Sequence, residues 1–386
     1  MHTVLLRFVA LYALMYGAFG VSSPFLPAFF ERRGLTPEQL GALFGAGTAI
    51  RLISGPACGR LADRTQALRG VLAGCALLAA AVAAGLLAVT DVPALFAISF
   101  LHGAALAPIT TLADALALRA SAPRTGDAGF EYGWVRGTGS GAFILGTLLS
   151  GQVVGAWGLG SILVLHATQL AITAGLALLV PAPGPTETTG ARAPTQGLLG
   201  LLRLADFRRV MLVATLVLGS HAMHDIFAVI RWRAAGVSPS TISVLWSESV
   251  AAEVVVFFFV GPPLVRWLGA RGVMALAAAA GLLRWAIVAS TTAVTALILV
   301  QPLHGITFAA LHLACMRVIP AIVPPGLAAT AQAMYAFGPA AATALLTLAS
   351  GYVYARLGGQ AFLVMALLCA AAVPLALTSR ARESGS

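Results

Sequence analysis

The chain has 386 residues, of which 59% are hydrophobic and 9% charged, roughly a third of the ~25% charge of an ordinary soluble domain. With a mean hydropathy of +0.93 there is too little polar side chain to cover a surface facing water, which excludes a soluble globule and leaves a polytopic membrane protein. The formal charge of +10 comes entirely from arginine, and in such a chain it belongs to cytoplasmic loops held against anionic lipid, not to nucleic acid.

At ~20 apolar residues per span the length holds about twelve to fourteen helices and no separate soluble domain. The first apolar stretch, up to Phe30, has one early cation, Arg7, and no small-residue cleavage site, so it reads as a retained helix. In chain order the predicted spans are 4–29, 38–63, 68–89, 92–118, 131–156 and 158–180, then 208–230, 239–265, 271–290, 293–318, 326–355 and 358–379. The predicted fold is all-α, twelve transmembrane helices in two six-helix bundles, 1–180 and 208–386. The Pro-, Gly- and Thr-rich stretch 181–207 links them. One set of loops carries most of the arginine, including Arg60, Arg64, Arg69, Arg119, Arg124, Arg192 and Arg271, with Arg380 and Arg382 on the tail. The other set has Arg32, Arg33, Arg231, Arg233 and Arg356. This asymmetry puts both termini in the cytoplasm. Cys58, Cys75, Cys315 and Cys369 are scattered without a CxxC pair and predict neither a disulfide nor a metal site.

The two halves repeat one another. Gly34-Leu35-Thr36-Pro37 follows the first span and Gly236-Val237-Ser238-Pro239 the seventh, each opening a helix at Ser/Thr-Pro. The helices so opened contain Gly55-Pro56 with Arg60 beyond, and Gly261-Pro262 with Arg266 beyond. Parallel repeats of this kind place a solute site near mid-membrane at their shared face.

Between spans two and three, Gly59-Arg60-Leu61-Ala62-Asp63-Arg64 resembles the loop signature of the major facilitator superfamily of two-lobed transporters. The resemblance assigns Gly59, Asp63 and Arg64 to a motif that makes and breaks helix-end contacts as lobes rock. Leu112-Ala113-Asp114-Ala115 and Glu131-Tyr132-Gly133-Trp134-Val135-Arg136-Gly137 are similar to the same stretches of lactose permease and the phenylpropionate permeases. In the lactose carrier the matching pair grips the substrate, so the resemblance implies that Asp114 and Arg136 bind solute. Arginine suits a carboxylate because its planar fork donates two parallel bonds.

Ionisable groups inside the bilayer need a partner or a purpose. Glu248 and Glu253, five residues apart, do not share a helix face. The run Leu245-Trp246-Ser247 with Ala252-Glu253 resembles the phenylpropionate permeases and favours Glu253 as proton carrier, although Glu248 stays open. Arg284-Trp285 and Leu303-His304-Gly305 resemble both comparison carriers, which implies proton-coupling roles for Arg284 and His304, the latter also at the solute. Where lactose permease has a coupling glutamate, three residues past that histidine, this chain has Thr307, so the protonation burden shifts to Glu253. His221, His224 and Asp225 occupy one helix face. No fourth ligand is evident, and the face is read as lining a cavity, with His221 at the solute and no metal. Gln332 and Tyr335, one turn apart, complete the expected substrate set. Trp157, Trp232 and Trp267 read as interface anchors.

The reading is a monomeric, proton-coupled symporter of the cytoplasmic (inner) membrane, not an enzyme. Its partners would be a small organic solute, protons and lipid; it uses a proton gradient and no cofactor, and an aromatic or other organic acid is the favoured solute. A sugar or nucleoside symporter, or a drug or metabolite antiporter of the same fold, is the alternative.

Overall fold

The computed structural model describes residues 2–121, 129–181, 196–324 and 327–378. The middle of the expected linker, with Arg192, and also Arg124, Arg380 and Arg382 lie outside these residues. The described chain is helical throughout, with no strand among the described residues. The first half comprises α1 (His2–Ser22), α2 (Leu26–Arg32), α3 (Pro37–Thr65), α4 (Leu68–Gly85), α5 (Val92–Ser121), α6 (Tyr132–Trp157) and α7 (Ser161–Leu179). The second comprises α8 (Gln196–Arg203), α9 (Ala205–Gly219), α10 (His221–Ala234), α11 (Pro239–Val255), α12 (Gly261–Ser290), α13 (Val294–Val300), α14 (Leu303–Gly305), α15 (Leu311–Ile322), α16 (Ala328–Leu357) and α17 (Phe362–Leu377). Among the described residues nine helical stretches are long and apolar enough to cross a membrane, and two of these run for 52 and 48 residues. A bilayer crossing takes ~20 residues, and α12 accordingly turns at Gly269, whose φ of 69° breaks the helix.

The contacts divide the chain into two compact units. One contains Met1–Thr36, Ala46–Thr188 and Ser238–Ser247; the other contains Pro37–Gly45, Thr189–Val237 and Glu248–Ser386. The first unit thus takes in the opening turns of α11, and the second the opening turns of α3. Glycine makes both insertions feasible. A methyl at Gly151 would overlap Ser243 in the first unit, and in the second a methyl at Gly41 would sit 2.8 Å from the Gly351 Cα.

In the first unit α1 lies against α6 at backbone contact. A side chain on Gly20 would strike the Phe143 carbonyl, and one on Gly146 the Gly17 carbonyl. The Thr147 hydroxyl donates to the Gly20 carbonyl at 3.1 Å. Small residues at such a crossing allow the van der Waals packing that replaces the hydrophobic effect in lipid. A hydrogen-bonded strut ties α1, α5 and α7 together. His166 Nδ1–H donates to the Ala18 carbonyl at 2.8 Å, so its Nε2 is left to accept from His102 Nε2–H at 3.1 Å. The second unit has its own core, built from Val213, Val217, Met274, Ala277, Leu311 and their neighbours.

The sequence repeat is a conformational repeat. Gly34 and Gly236 both adopt left-handed φ, 90° and 82°, the region open to glycine without a Cβ penalty. Beside each, an arginine caps a helix end. Arg33 donates to the Val89 and Leu87 carbonyls beyond α4 at 2.5 and 2.8 Å. Arg231 donates to Val288, to Ala289 at 2.9 Å and to Gly359 at 3.2 Å. Each guanidinium satisfies carbonyls that a helix terminus leaves unpaired.

Trp157 and Trp267 are 76% and 85% exposed, as expected of aromatics at a lipid boundary. Trp232 departs from that expectation: it is fully buried, edge-on to the His224 ring.

Candidate functional site

In the first unit, α1, α5 and α6 bring together an aromatic and charged cluster. Asp114 Oδ1 accepts from the Tyr12 hydroxyl at 2.5 Å and from the Tyr132 hydroxyl at 2.8 Å. Two phenolic donors satisfy a carboxylate that α5 carries into an apolar setting. Tyr12 stacks on Tyr16 with centroids 5.8 Å apart, and the Arg136 guanidinium lies 4.8 Å over the Tyr16 ring. That ring attracts the cation through its quadrupole but leaves the planar donor fork free for an anion. Among the described residues Arg136 forms no ion pair. Asp114 and Arg136 therefore belong to one cluster without being each other's partner.

In the second unit, α12 buries Arg284 completely. Its Nη1 donates to His304 Nδ1 at 3.0 Å, its Nη2 donates to Gln301 Oε1 at 3.1 Å, and its charge lies 4.5 Å over the Trp285 ring. His304 turns its other nitrogen to Glu253, with Nε2 3.5 Å from Oε2. Both functional helices change character at this level. Val256–Val260 after Glu253 and Ile306–Ala310 after His304 are single π-helical turns, a feature concentrated at functional sites. At Gly305 a methyl would sit 2.6 Å from the Ala252 carbonyl, so glycine lets the two turned segments meet.

His221 is 6% exposed and uses both ring nitrogens inside the unit. Nδ1 faces the Val217 carbonyl at 3.1 Å and Nε2 the Thr307 hydroxyl at 3.1 Å. Of the predicted triad on α10, His221 and His224 are buried, whereas the Asp225 side chain is 58% exposed. Asp225 thus presents the charge on this face. Among the described residues no three His, Cys, Asp or Glu side chains gather as metal ligands would. Tyr335 is buried with its hydroxyl 3.1 Å from His312 Nδ1, while Gln332 is exposed; the two present different surfaces of α16. The Glu248 Oε2 atom is buried and has no hydrogen-bond partner among the described residues.

The Gly59–Arg64 motif forms the last turns of α3. The helix closes with Ala67 N–H donating to the Ala62 carbonyl at 3.2 Å and Gln66 N–H to Asp63 at 3.4 Å, while Gln66 takes a left-handed φ of 52°. This is a Schellman closure with glutamine where glycine is usual. The Gln66 side chain adds a bond to the Asp63 carbonyl at 2.7 Å. Arg60, Asp63 and Arg64 are exposed.

Sequence reasoning missed Tyr132 as a partner of Asp114, Gln301 as a partner of Arg284, and the His102–His166 strut. Each is formed across distant chain positions. The one local signal was the phenol of Tyr132 four residues before Arg136, one turn away on the same helix.

The described residues are all helical, with stretches long and apolar enough to cross a membrane and charged side chains gathered inside each unit, and together with the relatives that follow they define a multi-pass membrane transporter of the major facilitator fold, not an enzyme. A family model described as MFS_1 like family matches residues 5–365, and the chain belongs to that family. It is 32% identical over 365 residues to a probable 3-phenylpropionic acid transporter of Escherichia coli (strain K12), with 94% of each chain covered. It is 24% identical to the uncharacterized transporter YwbF of Bacillus subtilis (strain 168), covering 84% of this chain and 80% of that one. Among solved structures, the nucleoside transporter NupG superposes with a TM-score of 0.79 at 20% identity, covering 97% of each chain. A bacterial homolog of the human lysosomal transporter Spinster gives 0.76 at 16% identity, covering 100% and 99%.

Proposed function

We propose that the chain is a proton-coupled importer of a small organic acid, with an aromatic carboxylate as the favoured class. The observation that carries the reading is the Arg136 guanidinium, held over the Tyr16 ring with no ion pair among the described residues. An arginine in this setting offers its fork to a carboxylate while the adjacent tyrosines offer faces to an aromatic ring. The printed name of the 32% identical relative, a probable 3-phenylpropionic acid transporter, supports the same solute class. Asp114 acts here by holding Tyr12 and Tyr132; in the other unit His221, His304, Gln332 and Tyr335 respond to the solute in this proposal, each by itself, and contact by His221 requires it to release Thr307 or Val217.

Glu253 is the proton carrier of this proposal. Arg284 donates to His304 Nδ1, so a neutral His304 carries its hydrogen on Nε2 and points it at Glu253. A second proton on His304 would displace the Arg284 bond and set two cations together. The titrating group is then the carboxylate, with His304 and Arg284 as its positioning residues. Coupling follows if protonation of Glu253 changes solute affinity, and linkage makes that effect reciprocal. The transport cycle is alternating access by the lobes 1–180 and 208–386, joined by 181–207, with the Gly59, Asp63 and Arg64 motif exchanging its contacts during the cycle. The protein acts as a monomer in the cytoplasmic membrane with both termini inside.

In proteoliposomes without a membrane potential, addition of phenylpropionate should alkalinise the outer medium, and an inward proton gradient should drive accumulation. Acidification outside would establish antiport instead, and no movement of any aromatic acid would overturn the solute class.

A further inference from the structure

Three helix ends of the first unit come together at the C-terminus of α7, which packs against both α1 and α4. The closing carbonyls of a helix have no partner within it, and here two arginines from the neighbouring helices supply the donors. Arg7, in the second turn of α1, donates from Nη1 to the Leu179 carbonyl at 2.9 Å. Arg69, at the start of α4, donates from Nη1 to the Val180 carbonyl at 3.0 Å and to the Leu178 carbonyl at 3.3 Å. Bonds to consecutive carbonyls fix two like charges at one helix end. The partial negative charge of a helix C-terminus offsets part of their repulsion. No carboxylate offsets the rest, because neither arginine enters an ion pair among the described residues. Each gives one nitrogen to the helix end and keeps the other donors of its planar fork. The surface beside them is apolar: Leu6, Leu178 and Leu179 are each more than half exposed.

We propose that this helix end is a binding site for an anionic phospholipid, whose headgroup phosphate accepts from Arg7 and Arg69 while its acyl chains lie on Leu6, Leu178 and Leu179. The charge and oxygen acceptors of a phosphodiester match guanidinium forks, and its tails match the leucines. A free phosphate leaves the leucines uncovered, and a zwitterionic lipid brings a cation of its own to a site that already holds two. Anionic headgroups attract any arginine at the membrane surface. This pair is distinguished by the carbonyls that hold both side chains in place beforehand, so little rotamer freedom is lost on binding. The bound lipid ties the ends of α1, α4 and α7 together just before residue 181.

The test is native mass spectrometry of the full chain in detergent with added dioleoylphosphatidylglycerol, dioleoylphosphatidylcholine or inorganic phosphate. The natural chain should retain phosphatidylglycerol in preference to phosphatidylcholine, and excess inorganic phosphate should not displace it. Arg7→Gln and Arg69→Gln should each lower that preference about fivefold. Arg317→Gln, which removes an exposed arginine of the second unit, should leave it unchanged. No preference in the natural chain, an undiminished preference in the double variant, or displacement by inorganic phosphate overturns the site. Lost helix capping alone would lower the melting temperature of the variants in every lipid. Loss of a lipid site should also abolish the rise in melting temperature that phosphatidylglycerol gives the natural chain, and an equal rise in the double variant overturns the proposal. If the variants fail to fold, a phosphatidylglycerol with a photoactivatable acyl chain decides on the natural protein. Crosslinks on the peptide holding Leu178 and Leu179 support the site, and crosslinks on other peptides alone overturn it.

Discussion

Arg284 Nη1 stands 3.0 Å from His304 Nδ1, and that single donation fixes the tautomer of the imidazole. The opposite nitrogen then carries hydrogen and faces Glu253. A histidine so held is a poor place to store a proton, because charging it forfeits a charge-assisted bond of about 1.5–3 kcal/mol and adds repulsion from the arginine.

Glu253→Gln and His304→Gln should therefore behave differently. The glutamate variant should keep exchange of bound solute but lose accumulation driven by a pH gradient. The histidine variant should still accumulate solute at a reduced rate. Equal and complete loss of gradient-driven uptake in both variants would move the proton to His304.

Arg136→Ala should weaken binding of carboxylate solutes by about 10- to 100-fold, the equivalent of a lost charge-assisted hydrogen bond pair. Arg136→Lys should recover only part, since an ammonium keeps the charge but not the fork. Ligand-induced thermal stabilisation measures both. Equal stabilisation of natural and Arg136→Ala proteins would remove this arginine from the site.

Tyr12 and Tyr132 donate to the same oxygen of Asp114. Losing either hydroxyl should cost about 1 kcal/mol, because the other donor remains. The double change Tyr12→Phe, Tyr132→Phe strips the carboxylate of both, and its destabilisation should exceed the sum of the singles, as expected of residues sharing one partner. A thermal denaturation cycle on the four proteins reads this coupling directly.

Gly20→Ala should destabilise the protein by about 1–3 kcal/mol through overpacking at the α1–α6 crossing. Gly141→Ala on the same α6 meets nothing within 4 Å and should be neutral or stabilising by up to about 1 kcal/mol. Gly34→Ala and Gly236→Ala also meet open space, so any loss there, about 1–2 kcal/mol each, comes from their left-handed backbone alone. Denaturation midpoints of these four variants separate crowding from conformation.

The helical stretches were legible because apolar runs of bilayer length leave little choice of structure, and the repeat was legible because Gly-x-Ser/Thr-Pro marks a turn that needs a positive φ. The candidate site was legible at the level of which side chains cannot be idle, such as Arg136, Glu253 and Arg284. Their partners were not. Asp114 was expected near Arg136, but Tyr12, a hundred residues earlier, takes its oxygen. The π-helical turns after Glu253 and His304 leave no local mark in Val256–Val260 or Ile306–Ala310, because they arise from packing against a neighbouring helix. Trp232 was expected, like Trp157 and Trp267, to anchor at the lipid interface, yet α10 turns it inward onto His224.

The opening turns of α3 and α11 belong to units other than those of the helices they begin. A fragment ending near residue 181 would carry Pro37–Gly45 with no α16 glycine to receive it, and a fragment starting near 196 would lack the Gly151 notch for Ser243. Neither piece is a finished folding module. Severing the chain at the midpoint should thus yield two insoluble or short-lived products when made singly, and a functional carrier only when both are synthesised in the same cell.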